Sequence, residues 1–219
     1  MNFLAQQAVL LLAGWSSGIS IYLTVALLGI SGRSRWIELP GSLDTLTHPV
    51  IIGAAIAVFA IEFVADKVPY VDSVWDSVHT FIRPIGASVV GYMGGSEYGP
   101  LVQTFYALVT GAIALDMHAV KATSRLAINT SPEPFSNIAA SSIEHTSVFL
   151  VFWLFIQHPV IACLLLLAFL VGSFFFLRMM WRFTRKLFRR PASPPPPPQS
   201  TADSSFGEPA DGRTHQRRT

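Results

Sequence analysis

Residues 146–177 read TSVFLVFWLFIQHPVIACLLLLAFLVGSFFFL, 32 positions without a formal charge. One helix of that length would reach ~48 Å, against a hydrocarbon core of ~30 Å. His158–Pro159 interrupts the run, and proline disfavours helix in the residue before it while fitting the first turn of the next. The stretch therefore predicts a hairpin of two membrane spans, about 138–157 and 159–180. That placement puts Glu144 and His145 inside the first span.

The rest of the chain agrees with a bilayer. Of 219 residues, 51% are hydrophobic and only 13% charged, where a soluble domain carries roughly a quarter. Mean hydropathy is +0.48. There is too little charge to clothe a soluble fold, which excludes a soluble enzyme, a nucleic-acid binder and a disulfide scaffold. The single cysteine, Cys163, lies within the apolar run and forms no internal disulfide. The expected class is an all-α polytopic membrane helix bundle of five or six spans in the cell inner (plasma) membrane.

Charge is split along the chain. Residues 1–177 hold six Lys/Arg against ten Asp/Glu, and residues 178–219 nine against three. The run Arg178, Arg182, Arg185, Lys186, Arg189, Arg190 directly follows the apolar stretch, which marks a cytoplasmic C-terminal end. It reads as a topology anchor and not as a nucleic-acid patch. From Pro191 the composition turns to Pro, Ser and polar residues with five consecutive prolines, predicting a disordered tail with a polyproline II stretch. The domain division is thus 1–190, transmembrane, and 191–219, tail.

Further spans are expected at 3–30, 49–66, 84–96 and 100–118, with loops at 31–49 and 131–137. Gly14 and Gly18 form a small-xxx-small pair, which reads as close helix packing or as a broken helix lining a cavity. Residues 67–83 show apolar residues at helical spacing and one wet, polar face, predicting an amphipathic helix lying at the interface or folded against the bundle. Six spans place both termini in the cytoplasm with Lys67, Arg83, Lys121 and Arg125, but leave Arg33 and Arg35 outside. If the short segment 84–96 does not cross, the N-terminal half inverts. Gly14 and Gly111, like His48 and His145, are 97 residues apart, a weak hint of duplicated halves.

Ionisable side chains at membrane depth are costly and mark partners or watery cavities. Glu62 and Asp66 share a helix face and lead into Asp72, Asp76 and His79. These are candidates for a divalent cation site or a proton relay. The alternative is that Asp66 and Asp72 cap helix ends while Asp76 and His79 line a solvated face. His118, Lys121 and Arg125 form a basic stripe with Asp116 off it, able to grip phosphate or to pair with those acids. Glu144 and His145, with Ser141 and Ser142 one turn before, make a third group. No H-E-x-x-H, Walker loop, G-x-G-x-x-G, C-x-x-C or G-x-S-x-G motif is present.

The segments EFVADKVPYVDSVWD at 62–76, HTFIRPIGA at 79–87, HAVKATSR at 118–125, NTSPEPFSN at 129–137 and S-x-x-E at 141–144 resemble a family of small bacterial membrane proteins described as a domain of unknown function. The likeness spans roughly residues 10–175. It implies a membrane location and a single site built from these polar residues, but no activity. In that family pattern an Asp follows the Glu matching Glu144, where this chain carries His145.

The function expected is a small transporter or channel-like permease for an ion or small solute. Glu62, Asp66, Asp116 and Glu144 would serve as proton or cation sites, with His118, Lys121, Arg125 and His145 beside them. Two alternatives stand next to it. One is a membrane-embedded enzyme acting on lipid headgroups, with a divalent metal held by Asp72, Asp76 and His79. The other is a non-catalytic scaffold. No resident cofactor is expected unless such a cation is bound, and the expected partners are the bilayer, a solute or ion, and further copies of the chain.

Overall fold

The computed structural model describes residues 3–68, 70–129 and 134–188. Its α-helices are α1 (Phe3–Ile19), α2 (Ile21–Arg33), α3 (Pro49–Ala65), α4 (Val71–Gly94), α5 (Pro100–Ile128), α6 (Pro134–Gln157) and α7 (Pro159–Phe188), with 3-10 helices at Gly41–Thr47 and Ser96–Tyr98. Among the described residues there is no strand. The expected tail, 191–219, lies outside the described residues.

Among the described residues three helices are long and apolar enough to cross a membrane: Pro100–Ile128, Phe135–Gln157 and Pro159–Phe183. The bent pair Gly41–Thr47 and Pro49–Ala65, angled at 73°, makes a fourth if counted as one span. The break at His158 separates α6 from α7 where the sequence placed it, and both helices are long and apolar enough to cross. Their directions follow from contacts. Arg125 of α5 meets Glu144 of α6, and Asn129 meets Asn137, so α6 runs against α5. Phe169 of α7 packs on Trp15 and Ser173 bonds Asp116, so α7 runs along α1 and α5.

The expected span 3–30 is not one continuous helix but two, α1 and α2. Ser20 leaves helical geometry at φ −154°, ψ 112°, and its hydroxyl caps α2 by accepting from the Leu23 N–H. The chain then folds back. Thr24 donates to Ser16 across the turn at 2.9 Å, although eight residues of straight helix would separate them by ~12 Å. Gly29 of α2 lies against Leu46, and Leu43 of the same 3-10 helix lies beside Gly94, which also meets Leu10 of α1. The open ends of α1 and α2 therefore sit at one end of the bundle, with Ser20 as a buried tip. From that end α3, α4, α5, α6 and α7 pass back and forth, so α1 starts and α7 finishes at opposite ends. This corrects the arrangement with both termini on one side.

Two further expectations are corrected. The interfacial helix at 67–83 and the weak span at 84–96 are one helix, α4, which continues through Pro84. Its amphipathicity is inverted as well. Asp72, Asp76, His79 and Arg83 are buried, while Val74, Val78, Phe81 and Ile85 are exposed. A polar face turned inward and an apolar face turned outward suit a lipid solvent. The expected loops also carry helix, with the 3-10 turn at Gly41–Thr47 and Pro134 starting α6. Proline fits a helix start because its missing N–H has no partner there in any case.

Close backbone approach holds α1, α4 and α5 together. A Cβ on Gly18 would lie 2.5 Å from Met117 Cβ and 2.6 Å from Ala114 O, and one on Gly91 would lie 2.5 Å from Tyr106 O. The close-packing reading of the Gly14/Gly18 pair is the one seen, since both glycines pack on α5, and the helix breaks just after them at Ser20. The two histidines 97 residues apart occupy unlike positions: His48 caps α3 on the surface, whereas His145 is buried.

Candidate functional site

The buried polar side chains meet between the Ser20 tip and the end of the bundle where α3 finishes and α4 begins. Glu62 and Asp66 stand one turn apart at the end of α3. Asp72, Asp76, His79 and Arg83 form a stripe on α4, and His118, Lys121 and Arg125 a stripe on α5. Glu144 and His145 come from α6. Arg83 and Lys121 are 0% and 1% exposed, so neither reports membrane topology as the positive-inside reading assumed.

Arg83 links three helices. Its Nη2 donates to Glu62 Oε1 at 2.7 Å, and its Nη1 donates to Asp76 Oδ1 at 3.0 Å and to His118 Nδ1 at 2.7 Å. Lys121 Nζ lies 2.5 Å from Asp66 Oδ2, 3.7 Å from Asp76 Oδ1 and 3.6 Å from Glu144 Oε2. Arg125 grips Glu144 bidentately, Nε to Oε1 at 3.1 Å and Nη2 to Oε2 at 2.7 Å, and its Nη1 donates to the carbonyls of Asp66 and Asn137. The acids and the basic stripe therefore pair.

The folded-back hairpin adds backbone to this network. Ser20 donates to Glu62 Oε2. The carbonyls of Gly18 and Ile19, at the C-terminal end of α1, accept from Arg83 Nη1 at 3.5 Å and from Lys121 Nζ at 3.4 Å. Cations thus sit at the negative end of the α1 dipole, and a carboxylate sits at the positive start of α2. A helix broken at depth, with its freed backbone groups turned to charged partners, is the arrangement that lines ion paths in membrane proteins.

Of the candidate residues, Asp116 stands apart. Its carboxylate accepts from Ser173 of α7 at 2.6 Å, away from the network. Asp72, Asp76 and His79 are near in sequence but do not converge on a point. Asp72 accepts from Asn129 through both oxygens, Asp76 from Arg83, and His79 donates from Nδ1 to Trp75 O while Tyr22 bonds its Nε2. Among the described residues no group of three or more His, Cys, Asp or Glu is spaced to hold a metal ion.

Ser20, Arg83, Asn129 and Asn137 were not among the individually named candidates, although the last three lie in the segments that carry the family resemblance. Arg83 had a signal, because it extends the Asp72–Asp76–His79 stripe at helical spacing. Ser20 had none, since a lone serine in an apolar run is ordinary. Lys67 sits at the rim, its ammonium 3.0 Å from the Phe63 ring centroid and bonded to Ser141, and burial there pulls it below the usual lysine range. A cleft of about 240 Å³ between α4 and α5 reaches the network from the side, lined by Ser73, Asp76, Ser77, Thr80 and Arg125 among others.

Two features stand out in the balance. Five acids (Glu62, Asp66, Asp72, Asp76 and Glu144) meet three buried cations, Arg83, Lys121 and Arg125, and Lys67 at the rim makes four. In addition, Asp66 Oδ1, Asp76 Oδ2 and His145 Nε2 are buried without a hydrogen-bond partner among the described residues.

Fold and site together define a membrane-type helical protein built around a buried charge network. The chain belongs to the family described as Domain of unknown function (DUF4126), whose model matches residues 8–179. No curated protein and no solved structure matches it.

Proposed function

We propose that the chain is a small permease carrying a proton or another small cation across the plasma membrane. The carrying observation is the acid excess in the network: one carboxylate more than the available cations, with bare oxygens on Asp66 and Asp76. An uncompensated charge at membrane depth costs several kcal/mol, so a site of this composition favours taking up one positive charge. The Asp76 side of the network borders the cleft between α4 and α5, which supplies an entrance.

In this reading α3 to α7 are five crossings and α1–α2 is a re-entrant hairpin. α4 supports a crossing, since its 24 residues reach ~36 Å and its outward face is apolar. The arginines of α7 support a cytoplasmic C-terminal end, so the hairpin enters from the outer side and closes that half of the path. Arg178 and Arg182 then reach the inner-leaflet phosphates.

The test is flux into liposomes holding the purified full chain, read with an entrapped pH dye and with radiolabelled sodium and rubidium. One of these cations should move faster than in protein-free liposomes. Asp76→Asn should abolish that movement in protein that still elutes from detergent as a single folded species. Absence of flux for all three cations overturns the proposal. Asp76→Asn proteins that transport normally would overturn the role given to that carboxylate.

A further inference from the structure

Hydrogen-bond partners set which nitrogen carries the proton in the neutral form of each of the three network histidines. Arginine only donates, so His118 Nδ1 accepts from Arg83 and its Nε2 carries the proton, which it donates to Thr80 Oγ1 at 2.9 Å. His79 donates from Nδ1 to Trp75 O at 2.8 Å, leaving Nε2 to accept from the Tyr22 hydroxyl at 3.2 Å. Each of these rings has both nitrogens occupied as a neutral imidazole.

His145 differs. Its Nδ1 donates to Ser141 O at 2.8 Å, so the neutral ring carries a lone pair on Nε2. That nitrogen is buried, has no hydrogen-bond partner among the described residues, and lies 3.8 Å from Asp66 Oδ2. Asp66 is itself fully buried, with Oδ1 bare. Around the ring stand Phe59 and Phe63 of α3, at 5.3 and 5.4 Å between centroids. The charged groups facing it are Asp66 and Glu62 from α3 and Lys121 from α5.

We infer that His145 is the proton-binding group of this site, with Asp66 as the carboxylate that exchanges the proton with it. The inference rests on the permease reading for its purpose and on the geometry above for its chemistry. In the transfer the O–H bond of a protonated Asp66 breaks and an N–H bond forms at His145 Nε2. A neutral pair becomes imidazolium and carboxylate. The proton on His145 supplies a fifth cation beside Arg83, Lys121, Arg125 and Lys67, and the five acids are then balanced. Closing the 3.8 Å gap asks for a side-chain movement of about 1 Å to reach hydrogen-bond distance.

The experiment reads protonation and flux separately on the full chain. In lipid nanodiscs with 15N-labelled histidine, the His145 Nε2 resonance should move from its unprotonated to its protonated position as the pH is lowered. His79 and His118 should stay neutral over the same range. Asp66→Asn should shift that His145 transition, because its partner charge is gone. His145→Gln should remove proton flux in liposomes, and it serves as the variant that keeps size and polarity. A His145 resonance that does not titrate, or one whose titration is unmoved in Asp66→Asn, overturns the inference even where cation flux is present. Titration of the coupled pair in a protein that moves no cation leaves the pair standing and removes the permease reading.

Discussion

Arg83 of α4 and Glu62 of α3 face each other at 2.7 Å with both side chains fully buried. A pair so placed is costly to form and more costly to break, because removing one partner strands the other charge out of water. It ties a helix that carries outward-facing apolar residues to the tip of the folded-back hairpin, through the bond between Glu62 and Ser20. Charge pairing here fixes how the helices meet, in a medium where apolar burial supplies little discrimination between helix partners.

The bidentate Arg125–Glu144 pair tests that view. Arg125→Met and Glu144→Gln should each destabilise the protein by about 3 kcal/mol, and the double variant should lose less than the sum. Chemical denaturation of the four proteins in detergent gives the coupling directly. Additive losses would show that the pair does not act as a unit.

Gly18 is predicted to tolerate no side chain. In Gly18→Ala the new Cβ meets backbone oxygen at Ala114 and the Met117 Cβ, neither of which is the mobile end of a long chain. The expected cost is roughly 1–3 kcal/mol, seen as a lower thermal midpoint. An unchanged midpoint would mean that α1 and α5 separate easily.

Ser20→Ala removes the α2 cap and the partner of Glu62 Oε2. The cap alone is worth about 1 kcal/mol. Ser20→Thr keeps a hydroxyl and should recover most of that loss. Equal thermal midpoints for the two variants would assign the effect to side-chain size instead of to the hydroxyl.

Asp116 lies outside the network, bonded to Ser173. Asp116→Asn should therefore leave cation flux in liposomes near the wild-type rate, in contrast to Asp76→Asn. A loss of flux in Asp116→Asn comparable to that in Asp76→Asn would place Asp116 in the path after all.

Water access is the last test. Ser77 borders the cleft and Phe81 lies on the outward apolar face of α4, one turn away. In a Cys163→Ala background, Ser77→Cys should react with a water-soluble maleimide and Phe81→Cys should not. Equal labelling at both positions would mean that this face of α4 is not in lipid.

The membrane class, the α6–α7 turn at His158–Pro159 and the polar stripes of α4 and α5 were legible from sequence. Each rests on composition, proline geometry or a 3.6-residue period, which are local properties. Local signals also identified Asp72, Asp76, His79, Lys121, Arg125 and Glu144 as polar residues too costly to leave unpartnered. Which way a stripe faces, and which stripes meet, are not local. The period of α4 is the same whether its polar side meets water or protein, and only its packing against α1, α3 and α5 turned that side inward. The reversal at Ser20 is likewise tertiary. Its flanks are apolar and helix-compatible, and an extended residue there is tolerable only because Glu62, Arg83 and Lys121 arrive from other helices to satisfy the freed backbone and hydroxyl.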